Sequence, residues 1–434
     1  MIKIQTTPES IESKGGLILA GKIAKIAGLR SIISKTIKEK AGIILTSLFA
    51  LMVEGKSDFE SLGEKRYNQF FKDALEIPYV YAKETARLYL EEMAAVDADE
   101  IIIQLRESST KIIKQGPLHG FWIGSKYYIP VDIDTSVMDN SKTKKEGVSW
   151  TYRGFDGYHP IFAYVGIEGY MLDCELRPGS QHCQNGTVDF IKSLIERLNK
   201  MNFGRNYLFR LDSGNDASET LQIIMEAGEG YNFIIKRNKR RENDEKWLKR
   251  AKRNGKPVES RDGKKVWIGK TKIKPHKKGD IYCVYEVTER KSDSAGNQLL
   301  IPEIEVNSFW TNLSCEAEEV IKQYHAHATS EQYHSELKHD MGIERLASGK
   351  FAVNQILLAL AMNAYNALRF LGQKAIEKNN GKMERRKRLG KVIRDIICVA
   401  GKFVKHAREL IFKINENDPI LPVFLRLNAA LDSL

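Results

Sequence analysis

Cysteine is scarce in this sequence, and the signals of secretion are missing. The 434 residues include five cysteines, an odd number, and no two of them have C-x-x-C spacing. Neither a disulfide framework nor a zinc module is therefore expected. The N-terminal residues lack the charged and then apolar pattern of a signal peptide, and no internal repeat or long low-complexity segment is present. These absences favour a globular protein of the reducing cytoplasm.

Long hydrophobic runs are also few. Residues 41–53 form an apolar stretch of 13 residues, which is shorter than the ~20 that a membrane-spanning helix needs. Residues 351–370 are longer but contain Asn354, Asn363 and Asn366, whose amides are costly in lipid and easily satisfied in a protein core. We therefore predict a buried helix there and no membrane partner.

Positive charge is in excess. The sequence has 68 Lys and Arg against 56 Asp and Glu, a formal net charge of +12. A polyanion such as DNA is a natural partner for such a chain. The densest basic run is residues 236–256, with eleven basic and three acidic side chains. Phosphate neutralisation would use these charges, and a solvated helix or loop surface is the alternative.

Hydrophobic periodicity divides the chain into parts. Helical spacing extends from residue 12 to 115, and strand-like alternation follows to residue 177. Strands and helices then alternate to residue 236 in the order βββαβαβ, which predicts a mixed sheet with helices on its faces. Residues 237–306 interrupt this order with three alternating segments that indicate a small β-rich insertion. Helical spacing returns from residue 316 and continues through a basic patch at 385–388.

Three carboxylates have settings that suit a site for hard divalent cations. Asp134 and Asp212 each end a predicted strand, and Glu331 lies in a predicted helix. An all-oxygen site of this kind suits phosphodiester chemistry. Asp132 competes with Asp134, since alternation along a strand points both to the same face. A turn or capping role is the ordinary alternative for any one such Asp.

In a helix, successive residues around Glu331 are rotated by about 100°. Tyr324, His327, His334 and Lys338 stand at offsets of −7, −4, +3 and +7 from Glu331, so all five residues share one face. Glu336 would point about 140° away from Glu331. Histidines 325, 327, 334 and 339 lie on mixed faces without a cysteine partner, which argues against zinc.

These residues resemble the DDE transposases of bacterial insertion sequences, in the branch with a Y-x2-R-x3-E-x6-K signature. Tyr324, Glu331 and Lys338 meet the spacing, while His327 stands at the Arg position. The likeness covers roughly residues 120–420. The other similar blocks are residues 134–136, 153–160, 176–179, 212–216 and 346–354.

The resemblance implies an α/β fold with an RNase H-like core and a catalytic triad of Asp134, Asp212 and Glu331 that holds two Mg²⁺, for which Mn²⁺ would substitute. It assigns Tyr324 and Lys338 to DNA phosphates near the cleaved end. His327 departs from the pattern, because His is shorter than Arg, only partly charged, and unable to grip phosphate with two donors. The remaining expected DNA-binding residues are Lys239, Arg240 and Arg241 on the insertion, and Trp310, which would stack on a flipped base or pack in the core.

The predicted organisation has five parts. An all-α domain at 1–115 would bind the DNA end, and the catalytic core at 116–236 and 307–370 would be split by the basic β-rich insertion at 237–306. Residues 371–434 would form a basic helical region, proposed for dimerisation.

The expected function is cut-and-paste transposition, in which double-stranded DNA is cleaved at inverted-repeat ends and joined to target DNA. The resemblance implies that a homodimer carries out these steps. The expected location is the bacterial cytoplasm, at the nucleoid. Another RNase H-like nuclease, such as a junction resolvase, and a non-catalytic DNA-binding protein derived from a transposase are the alternatives.

Overall fold

A computed structural model describes residues 10–203, 206–273, 279–293, 296–376, 386–406 and 409–434, together with 2–4, 6, 378–379 and 382–383. One residue of the predicted basic patch, Arg385, lies outside the described residues. The α-helices are α1 (Leu17–Ala27), α2 (Lys40–Val53), α3 (Phe59–Lys65), α4 (Gln69–Ala74), α5 (Lys83–Val96), α6 (Ala98–Gln115), α7 (Thr187–Met201), α8 (Ser218–Glu226), α9 (Asp244–Asn254), α10 (Ala317–His325), α11 (Thr329–Ser335), α12 (Phe351–Lys374), α13 (Leu389–Val392) and α14 (Leu421–Asp432). The strands are β1 (Ser10–Glu12), β2 (Phe121–Ile123), β3 (Lys126–Thr135), β4 (Met138–Asp139), β5 (Ser149–Trp150), β6 (Asp156–Tyr158), β7 (Ile161–Val165), β8 (Tyr170–Glu175), β9 (Asn206–Leu211), β10 (Tyr231–Lys236), β11 (Lys256–Arg261), β12 (Lys264–Lys272), β13 (Tyr282–Ser292), β14 (Gln298–Thr311), β15 (Lys378–Asn379), β16 (Lys382–Met383), β17 (Gly401–His406) and β18 (Glu409–Ile414).

A ten-stranded mixed sheet organises the molecule, with the order β11-β12-β13-β14-β10-β9-β3-β7-β8 and β2 beside β3. Strands β3 and β9 are parallel neighbours, with Ile133 opposite Leu211, and β9 is parallel to β10. The other pairings in this sheet are antiparallel. The mixed α/β architecture and the βββαβαβ order are therefore confirmed.

The β-rich insertion does not form a separate sheet. Its long strand β14 pairs with β10, where Ile234 lies opposite Thr311, so the insertion extends the central sheet. The basic run contains helix α9, which the sequence analysis did not assign. The Asn243 side chain caps this helix by accepting hydrogen bonds from the amides of Glu245 and Lys246 at 2.8 and 3.2 Å. One face of α9 is buried against β13.

Helix α12 lies at the centre of the molecule. It is long and apolar enough to cross a membrane, but 83% of its most apolar window is buried inside the protein. Among its amides, Asn366 accepts from the Met171 amide at 2.8 Å and donates to Ser109 Oγ at 2.8 Å. These bonds tie α12 to strand β8 and helix α6, and the predicted buried helix is confirmed.

Helices α1 to α6 share one hydrophobic core with the sheet. From α1 to α6 the structure is helical, and buried side chains of these helices belong to the same cluster as those of α12 and the sheet. The division of the chain into functional domains stays a prediction.

The C-terminal part differs from the expected helix. Residues 401–406 and 409–414 form the antiparallel strands β17 and β18, and β17 also pairs with β1, where Ile11 lies opposite Lys402. Phe403 and Phe412 pack on Phe70, and their ring centroids lie 5.3 and 5.4 Å, respectively, from that of Phe70. The helical expectation is wrong here because β1, from the far end of the chain, supplies the strand partner.

Candidate active site

The two aspartates lie at the ends of neighbouring parallel strands. Asp134 is the second-to-last residue of β3, and Asp212 directly follows β9. Parallel strands end at the same edge of a sheet, so their terminal side chains meet there. Both carboxylates line an open cleft of about 1050 Å³, and Glu331 of α11 lines it as well. The structure therefore brings the three predicted acids to one cleft.

Asp134 is held by its neighbours on α11. Its Oδ2 lies 3.3 Å from His334 Nε2 and 3.4 Å from Ser330 Oγ, and its Oδ1 accepts the Thr135 amide at 2.8 Å. His334 is buried, and its Nδ1 lies 3.2 Å from the Tyr164 hydroxyl. Burial raises the pKa of the Asp134 carboxyl, but the hydrogen bond with His334, the nearby histidines and the Thr135 amide together outweigh it, and the pKa lies below its usual value.

Asp212 has the opposite electrostatic setting. Its Oδ1 accepts a hydrogen bond from Asn215 Nδ2 at 2.7 Å, within a 3-10 turn that follows the strand. Burial and the nearby charge of Asp134 together raise the pKa of the Asp212 carboxyl. Two hard oxygen donors that repel each other in one cleft fit a divalent cation, because the cation would remove the repulsion.

Glu331 stands apart from the two aspartates. It is exposed on α11, and among the described residues no three His, Cys, Asp or Glu side chains are close enough to hold one metal ion together. The helix is also less regular than expected. It consists of α10, a 3-10 turn, α11 and a π-helical segment from Glu336 to Asp340. Tyr324, His327 and Lys338 still line the cleft beside Glu331, so the expected face is present.

The structure separates Asp132 from Asp134. Asp132 is only 1% exposed and accepts two hydrogen bonds from Arg210, at 2.6 and 2.7 Å. Its Oδ1 also lies 2.8 Å from His327 Nδ1. The charge of Arg210 and the hydrogen bonds from Arg210 and His327 offset the burial, and the pKa of Asp132 lies below its usual value. The carboxylate of Asp132 is thus committed to a buried ion pair and does not line the cleft.

The residues of the expected phosphate contacts have different settings. His327 is buried, and its Nδ1 faces Asp132. The Tyr324 ring packs on Phe309 with centroids 4.6 Å apart. Lys338 is half-buried, its Nζ donates to the Val137 carbonyl, and burial lowers its pKa. Of these three side chains, only that of His327 contacts a buried charged residue, Asp132.

The expected DNA-binding residues of the insertion lie on another surface. The ammonium of Lys239 is paired with Asp244, whereas Arg240 and Arg241 are exposed. Trp310 is half-buried, and its Nε1 donates to Asp216 Oδ1 at 2.8 Å. The guanidinium of Arg237 lies 5.1 Å from its ring centroid. The Trp310 ring therefore has the protein contacts that the packing alternative required.

Two side chains of the cleft were missed by sequence reasoning. Tyr152 and Arg153 line it from the hairpin that joins β5 to β6. Both residues precede Gly154, and a glycine at this place indicates a turn. This turn signal was the available clue to the position of the two side chains.

Comparison with known proteins identifies the family. The family described as Transposase DDE domain group 1 matches residues 1–434. The chain belongs to this family, which confirms the resemblance to DDE transposases, and such enzymes use divalent metal ions. No curated protein matched the sequence. One similar solved structure is a piggyBac transposase synaptic complex with hairpin DNA, at 11% identity and a TM-score of 0.43, covering 88% of this chain and 76% of that one.

Proposed function

We propose that the protein is an insertion-sequence transposase that cuts DNA strands at inverted-repeat ends and joins the freed ends to target DNA. The observation that carries this proposal is the placement of Asp134 and Asp212 at the ends of adjacent parallel strands, in a cleft that Glu331 also lines. Asp132, the competing acid, is occupied by Arg210 and His327. Family membership supplies the reaction class.

The three acids would hold Mg²⁺, with Mn²⁺ as a substitute. When bound, divalent cations supply Lewis acidity that lowers the pKa of an attacking water or hydroxyl group and stabilises charge on the phosphate. The hydrogen bond from His334 keeps Asp134 ionised, and Asn215 orients Asp212. Glu331, from a separate helix, would complete the donor set. The chain offers acids for direct in-line displacement, and no covalent enzyme intermediate is required.

DNA binding would involve the cleft and the insertion. Tyr324 and Lys338 lie in the cleft, where they would contact phosphates near the cut. The exposed Arg240 and Arg241 would contact the backbone outside it. We further propose a homodimer that bridges two element ends, acting at the nucleoid in the bacterial cytoplasm.

The test is metal-dependent cleavage of a duplex that carries the inverted repeat flanking the gene. Asp134→Asn, Asp212→Asn and Glu331→Gln should each reduce cleavage by at least about 10³-fold while end binding is largely retained. Asp189→Asn is a matched control, because Asp189 is an acid 82% exposed on α7 outside the cleft. Near-native cutting by any cleft variant would remove that residue from the site. Binding without cleavage by the wild type would favour the non-catalytic DNA-binding alternative.

A further inference from the structure

The cleft lacks the arginine that the Y-x2-R-x3-E-x6-K signature provides. His327 occupies that position, and it is buried with Nδ1 at 2.8 Å from Asp132. Asp132 is in turn bound by Arg210, whose Nη1 donates to the Gln323 carbonyl at 2.8 Å. This network joins strands β3 and β9 to helix α10 inside the protein. His327 therefore acts as a structural tie and presents no two-donor fork to a phosphate.

Arg153 is the only arginine among the described residues that line the cleft. It is exposed, and among the described residues its side chain has the Tyr152 hydroxyl and no carboxylate as hydrogen-bond partner. Glu331 and Lys338 line the same cleft as Arg153. Arg153 thus lies within electrostatic reach of both the third acid and the signature lysine.

A tight turn fixes the position of Arg153. The amide of Gly154 donates to the Thr151 carbonyl at 3.0 Å, and Gly154 has φ of +83°, a conformation that favours glycine. The Thr151 amide and hydroxyl both donate to the Phe155 carbonyl, at 2.9 and 2.7 Å. These bonds hold the tip of the hairpin in one shape, with Tyr152 and Arg153 projecting from it.

Tyr152 contacts Arg153 and leaves the two terminal amino groups of the guanidinium available. The Nε of Arg153 lies 3.4 Å from the Tyr152 hydroxyl, and its guanidinium lies 5.6 Å from the ring centroid. Tyr152 is itself 65% exposed. Because the aromatic contact engages the guanidinium plane and Nε, the two terminal amino groups can face an anion.

We propose that Arg153 binds a backbone phosphate of the DNA strand held in the cleft, close to the phosphodiester that is cut. It supplies from the β5–β6 hairpin the two-donor phosphate contact that an arginine at position 327 would make. This inference rests on the proposed function. The contact recognises the backbone and not the bases, so it positions the strand without adding sequence preference.

The first experiment compares Arg153→Ala, Arg153→Lys and Arg153→Gln with Arg394→Ala in the full-length protein. Arg394 is an exposed arginine outside the cleft, bound to its neighbour Asp395, and serves as the matched control. Cleavage by Arg153→Ala should fall about 10- to 100-fold, the usual effect of losing a charge-assisted phosphate contact. Arg153→Lys should recover part of the loss, and thermal unfolding should be unchanged because Arg153 is exposed. Cleavage by Arg153→Ala equal to that of Arg394→Ala would overturn the proposal.

The second experiment locates the phosphate. Single neutral methylphosphonates are placed at successive positions around the cut site, and both cleavage and binding in EDTA are measured with wild type and Arg153→Ala. At one position, the methylphosphonate should reduce cleavage and binding by the wild type as much as the Arg153→Ala substitution reduces them on unmodified DNA. At the same position, the methylphosphonate should reduce cleavage and binding by Arg153→Ala little further. Independent losses at every position would refute the contact. If the wild type binds but never cleaves, the proposed function fails while the binding series still decides the role of Arg153.

Discussion

Glu331 and Glu336 lie five residues apart on one helical segment, and we predict that their substitution has opposite consequences. Glu331 is exposed in the cleft, whereas Glu336 is 2% exposed and lies on the other side of the segment. Its carboxylate pairs with Arg369, which is fully buried, and with Arg386 at 2.6 Å. Glu331 is therefore available for the chemistry of the cleft, and Glu336 stabilises the core through its ion pairs.

The magnitude follows from the buried ion pair. Removing one partner of such a pair costs about 3–5 kcal/mol, because the remaining charge is left uncompensated. Glu336→Gln keeps a hydrogen-bond acceptor, so we expect about 3 kcal/mol. With an unfolding entropy of roughly 2.1 cal/mol/K per residue, 434 residues give about 0.9 kcal/mol/K for one cooperative transition. The expected decrease in Tm is therefore about 3 °C.

The assay measures thermal unfolding and metal-dependent cleavage of both variants. Glu331→Gln should keep the wild-type Tm within about 1 °C and lose cleavage. Glu336→Gln should melt lower and, assayed well below its Tm, cleave within about tenfold of the wild type, a loss of at most ~1.4 kcal/mol. If Glu336→Gln abolished cleavage at wild-type stability, the assignment of residues along this segment would be wrong, including those of Tyr324 and Lys338.

Four further predictions concern the acids and the insertion. Asp132→Asn should lower the free energy of unfolding by at least about 3 kcal/mol in chemical denaturation, because its arginine and histidine partners stay buried; a loss below about 1 kcal/mol would contradict this. In metal-free buffer at neutral pH, Asp212→Asn should raise Tm, since the folded protein raises the pKa of this carboxyl and penalises its charge, and the gain should vanish as pH falls below the usual carboxyl pKa of about 3.9. Asp134→Asn should lower Tm at neutral pH, because a lowered pKa contributes stability that is lost only as pH falls through it; shifts of equal sign in the two variants would refute the electrostatic account. Arg240→Ala with Arg241→Ala should flatten the slope of log K against log salt by up to ~2 units, at ~0.9 per phosphate contact, and an unchanged slope would indicate a solvated surface.

The central strands were predictable because their signals are local. Alternation identified the strands that end at Asp134 and Asp212, which are parallel neighbours in the structure. The β-rich insertion was also visible, but its attachment was not. The pairing of Ile234 with Thr311 joins residues far apart in sequence, and local periodicity carries no information on such a partner.

Several details of the site depend on similarly distant contacts. His327 meets Asp132 across 195 residues, so helical spacing placed it correctly on the cleft face without revealing its charged partner. Arg153 was missed because its position depends on a turn, not on strand or helix periodicity. Helix α9 was missed because its many charges masked the apolar face formed by Trp247, Leu248 and Ala251.

Sulfur substitution at the cut phosphodiester tests the central claim most directly. The wild-type protein would be assayed on an element-end duplex with either oxygen or sulfur at a non-bridging position of that phosphate, in Mg²⁺ or Mn²⁺. Mg²⁺ prefers oxygen, whereas Mn²⁺ accepts softer ligands more readily. For at least one of the two sulfur positions, we predict that cleavage is lost in Mg²⁺ and recovered in Mn²⁺, and that Asp134→Asn shows no recovery. Cleavage that persists in EDTA, or that Asp134→Asn retains, would contradict it.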